Sequence, residues 1–321
     1  VARYFGIDLA WGLRRPDPRT GRVRPPNETG LCLLDDDGAI LDAGWARGVD
    51  AVHDFIAAHE QRGDVIAIDA PLIVPNPTGM RAAEREVSSR YGRWKVAANA
   101  SNAGAAARAG ELLLAALEPR GIRYTDGTWP PPAGTTVAFE CYPYTTLVGV
   151  AELGYDIERP RYKRLIPGID RADARRLRAD ACDDLIARLA RLASSSPPLD
   201  LRSHPATRAL VDEPSPLVDR AYKHREDLLD AAICAWTAAL WHANGPERTQ
   251  VLGAETGEVD ARGRRATIVA PARPEQRGPT ADSRQTGAPS ISGQCFSCCC
   301  SEAASSARRS SDTGMRDCSN R

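Results

Sequence analysis

The chain has 321 residues, 42% of them hydrophobic, and its 42 Lys and Arg are balanced by 42 Asp and Glu. No uninterrupted apolar stretch reaches the roughly 18 residues that a membrane span requires, which argues against a membrane protein. A formal charge of zero removes any global basic field, so a grip on nucleic acid would have to be local.

The chain opens directly into strand-like YFGIDLA, with neither the charged nor the apolar segment of a secretory leader before it, and a cytoplasmic protein is expected. Residues 4–10, 30–34 and 40–45 read as three strands of a meander, with the turn DDDG between the second and third. Apolar residues at helical spacing follow over 49–59, and the continuous apolar run 65–70 has the character of a buried central strand. Pro75 to Gly79 interrupt the chain, 103–117 reads as helix, and 136–141 as a strand entering ECYP. Asp170 is placed to cap a helix running to about 192, and 220–242 forms a long alanine-rich helix suited to close packing. Residues 250–252 and 266–269, joined by polar GAETGEVDARGRR, suggest a terminal hairpin.

Beyond about Pro274 the sequence is Ser, Gly, Thr, Arg and Cys in no periodic order, with little apolar surface to offset chain entropy. The expected organisation is one α/β domain over 1–273 and a low-complexity, disordered tail over 274–321. Cys32, Cys141, Cys182 and Cys234 sit in apolar patterns as small hydrophobes. Cys295, Cys298, Cys299, Cys300 and Cys318 fall in the tail, which has no second CxxC at a finger-like interval and no histidine, so structural zinc is not expected.

Asp8 lies inside the apolar run of the first strand, where an ionised carboxylate costs several kcal/mol unless a cation or hydrogen-bond donors meet it. Asp69 repeats this at the end of VIAIDAP and Glu140 at the end of TVAFECYP. Three apolar strands each delivering an acid near the carboxyl end point to a shared site, because ligands of open α/β sheets bind at that edge. In KHREDLLDAAICAWTAAL, Asp227 and Asp230 are three apart and so share a helix face, and neighbouring alanines let that helix approach a sheet. Hard oxygen ligands from several elements suit Mg²⁺ or Mn²⁺, and such ions hydrolyse phosphodiesters. Singly, each acid has a plainer explanation: Asp8 as a turn acid, Asp69 satisfying backbone donors, Glu140 pairing with an arginine, Asp227 complementing a helix dipole.

These residues carry a resemblance. GIDLAWG, AIDAPL, GMRAAERE, FECYP, YKRLIPG and EDLLDAAICAWTA, in that order over about 4–271, resemble the family catalogued as domain of unknown function number 429, described as predicted nucleases with a ribonuclease H-like fold. The last segment is also similar to the terminal acidic helix of RuvC-type resolvases, in which a histidine precedes two acids three apart, here His224, Asp227 and Asp230. The resemblance implies metal ligation by Asp8, Asp69 and one or both of the helix acids, and brings in Glu140 from the predicted-nuclease pattern. The expected fold is a mixed five-stranded sheet flanked by helices.

Basic residues cluster over 159–178. Lys163 and Arg164, in a loop before Pro167 and Gly168, are the candidate phosphate contacts, and Arg81 a further one. A solvated helix face explains the remaining arginines equally well. The leading expectation is a metal-dependent nuclease acting on DNA or RNA. An actin-like phosphotransferase is the alternative, since GIDLAWG resembles a first phosphate loop, but no second glycine-rich loop follows AIDAP. A non-catalytic nucleic-acid-binding module is a third reading, disfavoured because unneeded buried charges destabilise. GxSxG, P-loop and HExxH motifs are absent.

Overall fold

A computed structural model describes residues 2–277 except 13, 14, 17, 18, 22 and 105–107; of the tail expected over 274–321, residues from 278 onward lie outside the described residues. Its main sheet is built from β1 (Tyr4–Asp8), β4 (Glu28–Leu34), β5 (Ile40–Arg47), β6 (Val65–Ile68), β7 (Arg123–Tyr124) and β8 (Val137–Glu140), in the order β5-β4-β1-β6-β8-β7. The meander β1, β4 and β5 is antiparallel; β6 joins β1 in parallel, and β8 and β7 continue in parallel. The two-residue strands β2 (Arg15–Pro16) and β3 (Val23–Arg24) form a separate ribbon, and β9 (Thr249–Leu252) pairs antiparallel with β10 (Ile268–Pro271) as the expected hairpin. The strands that carry the three acids are neighbours, as expected. The sheet has six strands rather than five, because two residues of β7 add to the edge of β8, too few to register as apolar alternation.

Helices cover both faces. α1 (Val49–His59) and α3 (Ala109–Leu117) pack through Val52, Ile56, Leu113, Leu114 and Leu117 on Phe5, Ile7, Leu31, Leu33, Ile66, Ile68 and Ala138. The other face, with Tyr4, Cys32, Leu34, Val65, Ala67, Val137 and Phe139, receives the 26-residue α7 (Asp219–Asn244). Around α7 stand α2 (Ala82–Tyr91), α4 (Pro143–Gly149), α5 (Arg171–Ala190) and α6 (Pro205–Asp212). Asp170 caps α5 as expected, its carboxylate accepting from the amides of Ala172 and Asp173. Of the helix expected over 103–117, Ala109–Leu117 is helical, residues 103–104 form a turn, and 105–107 lie outside the described residues.

Two glycines set how closely α7 lies on the sheet. A Cβ at Gly6 would stand 1.9 Å from the Ala231 carbonyl oxygen, and one at Gly30 would stand 1.8 Å from that of Asp227. The backbones therefore touch where only hydrogen fits. Trp236, Trp241 and Leu240 of α7 are fully enclosed, each contributing about 1.5–3 kcal/mol or more of burial, so the helix is anchored along its length. No helix among the described residues is long and apolar enough to cross a membrane.

Candidate active site

The close seat of α7 brings its acids to the carboxyl edge of the central strands. Asp8 ends β1. Asp69 follows β6 and extends its ladder, donating its amide to the Ile7 carbonyl at 2.8 Å. On both strands the acid shares the side of the α7-facing residues, since Tyr4, Gly6 and Asp8 alternate with Phe5 and Ile7, as Val65, Ala67 and Asp69 do with Ile66 and Ile68. Asp227 and Asp230 are buried beneath the first half of α7, and the Asp8 and Asp227 carboxyl groups are in hydrogen-bond contact. Two carboxyls in contact cannot both stay ionised without a proton or a cation between them.

Two lysines supply the positive charge. Lys163 Nζ lies 2.6 Å from Asp230 Oδ2, and Lys223 Nζ lies 2.5 Å from Asp227 Oδ1 and 3.1 Å from Glu226. Burial disfavours the Lys163 ammonium, but the carboxylates of Asp230, Asp69 and Asp8 outweigh it and hold its pKa well above the ordinary value. Burial, then the Asp230 charge, raises the Asp8 pKa, and burial raises that of Asp69 further, against the pull of Lys163. Burial and the charge of Asp8 push Asp227 up to about 8, and burial takes Glu226 to about 7. Tyr162 donates to Asp230 Oδ1 at 2.6 Å, and the Tyr222 hydroxyl donates to the Tyr162 carbonyl at 2.5 Å, so the loop carrying Lys163 is tied to α7.

Glu140 stands apart from this group. Arg81 grips it with two guanidinium nitrogens, at 2.8 and 2.5 Å, and the Leu72 amide donates to it at 3.1 Å. Arg81 also bonds Glu84 at 2.9 Å and is 1% exposed. The residues expected as a metal ligand and a substrate contact are thus each other's partners. The pleat explains why: Val137 and Phe139 face α7, so Glu140 shares the side of Ala138, and the position in register with Asp69 is Cys141.

Of the other expected contacts, Lys163 points into the acids rather than outward, while Arg164 is exposed beside them in the chain. Arg171, Arg175 and Arg178 all pair with Asp219, so much of the basic helix is spent on one carboxylate. His224 turns to Glu28, with Nδ1 2.8 Å from Oε2, and stacks on Trp45 at 3.6 Å between centroids. The Trp11 indole donates to the Asp69 carbonyl at 3.2 Å and lines a slot of about 40 Å³ with Asp69, Asn99 and Tyr142, enough for water. Lys223, Glu226 and Tyr162 were not singled out from the sequence. Lys223 and Glu226 flank Asp227 at helical spacing, and that spacing was the available signal.

Whether a divalent cation suits these residues turns on what the carboxylates lack. Lys163 approaches Asp230 Oδ2 without hydrogen-bond alignment, which leaves that buried oxygen with no directed donor. Together with the Asp8–Asp227 contact, this leaves an all-oxygen donor set short of positive charge, the kind of donor that hard divalent cations take. As the side chains stand, no three His, Cys, Asp or Glu groups among the described residues form a ready cation cage.

Neither a curated protein nor a solved structure matches the chain. Residues 6–256 match the family described as "Protein of unknown function (DUF429)", a span that takes in all of Asp8, Asp69, Glu140, Lys163, Asp227 and Asp230. The chain belongs to that family.

Proposed function

We propose that this chain is a metal-dependent nuclease of ribonuclease H-like architecture, hydrolysing phosphodiester bonds at the edge where Asp8, Asp69, Asp227 and Asp230 meet. That meeting of acids from two central strands and one helix is the observation that carries the reading. An antiparallel meander continued by parallel strands, with the acids at their carboxyl ends, supports the architecture.

Asp8, Asp69, Asp227 and Asp230 would hold Mg²⁺ or Mn²⁺. A cation bound there supplies an activated water and neutralises charge on the phosphate. The protein's own groups do the rest. Tyr162 fixes Asp230 Oδ1, and the other oxygen, Oδ2, faces the Lys163 ammonium at 2.6 Å. Lys163 offers its ammonium to a phosphate oxygen, and the neighbouring carboxylates favour that charged form by holding its pKa above the ordinary lysine value. Arg81 braces Glu140 and thereby the end of β8, a positioning role. Seclusion of the acids under α7 lowers the local dielectric and strengthens each of these interactions.

Cleavage of labelled DNA and RNA oligonucleotides in Mn²⁺ tests the reading. Asp8→Asn keeps the shape of the side chain and removes its charge. The variant should lose two or more orders of magnitude of cleavage, roughly 3 kcal/mol of transition-state stabilisation. A wild-type protein that cleaves no oligonucleotide with either ion overturns the proposal.

A further inference from the structure

A cleft of about 390 Å³ opens in the loop that carries Lys163, lined by Lys95, Glu158, Arg159, Arg161 and Arg164 over a floor of residues 165–167, Leu-Ile-Pro. It adjoins the acids across a single aromatic ring. The Arg159 guanidinium lies 4.3 Å from the centroid of Tyr144, and the Lys163 ammonium, already on Asp230, lies 5.2 Å from the same centroid. The two cations therefore flank the same ring and are no further apart than the sum of those distances.

The cleft holds more positive charge than it uses internally. Glu158 is its single acid and is shared by Lys95 and Arg161, the latter at 3.3 Å. Arg159 donates to backbone carbonyls, those of Lys95 at 2.8 Å and Pro160 at 3.4 Å. Arg164 is exposed and, among the described residues, has no hydrogen-bond or ion-pair partner. Such a surplus calls for an anion. The floor calls for something else, because Leu165, Ile166 and Pro167 offer apolar surface. Proteins that take single-stranded nucleic acid combine a cationic groove along the backbone with side chains, mostly aromatic, on which the bases lie, and here Leu165, Ile166 and Pro167 offer such a surface in aliphatic form. A duplex keeps its bases stacked inside and would leave that floor bare. A second cleft of similar size, lined by Arg62, Arg120 and Arg123, lies at the amino ends of β6 and β8, away from the acids, and lacks such a floor.

We propose that the cleft of Arg159, Arg161 and Arg164 binds one strand of DNA or RNA and leads its backbone past Tyr144 to the acids. The occupant's identity rests on the nuclease reading, but its binding does not require catalysis. The two therefore fail separately: binding is read without divalent ions, cleavage with them.

The test is fluorescence anisotropy of a labelled single-stranded oligonucleotide and of its duplex, titrated with the full chain in EDTA at several salt concentrations. The wild type should bind the single strand more tightly than the duplex. R161A/R164A changes two exposed side chains and should weaken single-strand binding by about tenfold or more, with the slope of log K against log salt shrinking by about 1 to 1.5. Arg164→Glu alone should weaken binding in the same direction. Circular dichroism of each variant confirms the fold. Unchanged single-strand affinity in R161A/R164A, duplex binding as tight as single-strand binding, or no binding by the wild type overturns the proposal.

Discussion

Lys163, partly buried, and Arg81, fully buried, each hold a carboxylate, yet the structure gives them different work. Lys163 faces Asp230 Oδ2 without an aligned hydrogen bond, whereas Arg81 makes aligned hydrogen bonds to both Glu140 and Glu84. Removing one partner of a buried pair costs about 3–5 kcal/mol, because the other charge is left uncompensated. Lys163→Met should therefore lower stability by about that amount in EDTA, and Mn²⁺ should narrow its gap to wild type by supplying the missing charge. Arg81→Met should cost as much, and Mn²⁺ should leave that gap unchanged. Urea denaturation with and without Mn²⁺ reads both; equal rescue of the two variants, or none of Lys163→Met, contradicts the division of roles. The division was half legible in the sequence. Acids at the ends of apolar strands could be seen, and so could the alternation in TVAFEC that puts Glu140 on the side opposite Phe139. The pairing of Lys163 with Asp230 could not, because Lys163 comes from a loop whose path is set by Tyr162 and Tyr222, contacts no local pattern encodes.

At the scale of elements, the site depends on α7 lying flush against β1 and β4. Gly6→Ala would place a methyl carbon 1.9 Å from the Ala231 carbonyl oxygen and 2.2 Å from the Ala235 amide, all backbone, so the helix must move. Overpacking of a fitted interface costs about 1–3 kcal/mol and occasionally more, and with no flexible side chain to yield, Gly6→Ala should fall at or above the top of that range. Displacing α7 also displaces Asp227 and Asp230, so cleavage should fall further than stability alone explains. Gly44→Ala, with nothing within 4 Å, is the control and should be nearly neutral in both urea denaturation and cleavage. A Gly6→Ala protein as stable and active as the control would mean that the helix seat is not what positions the acids. The alanine-rich sequence announced close packing of this helix, and the glycine in GIDLAWG marks the contact on the strand. Shorter pieces escaped notice: β7 has two residues and α6 opens on a proline after His204, both fixed by tertiary partners rather than by periodicity.

Among the described residues, charge is sorted, although the full chain's total is zero. Acids gather at one edge of the sheet, and unspent cations gather in the cleft beside them. Composition showed only the balance, since sorting depends on which loops meet. The central claim is that the acids at the sheet edge are cation ligands and not structural carboxylates, and the melting of wild type and Asp8→Asn in EDTA and in Mn²⁺ tests it most directly. A ligand site predicts that Asp8→Asn is at least as stable as wild type in EDTA, where like charges oppose one another, and that Mn²⁺ stabilises the wild type by about 2.7 kcal/mol at a hundredfold excess over Kd but the variant much less. A structural aspartate predicts instead a loss of about 1–3 kcal/mol in both conditions. Equal Mn²⁺ stabilisation of the two proteins contradicts the account.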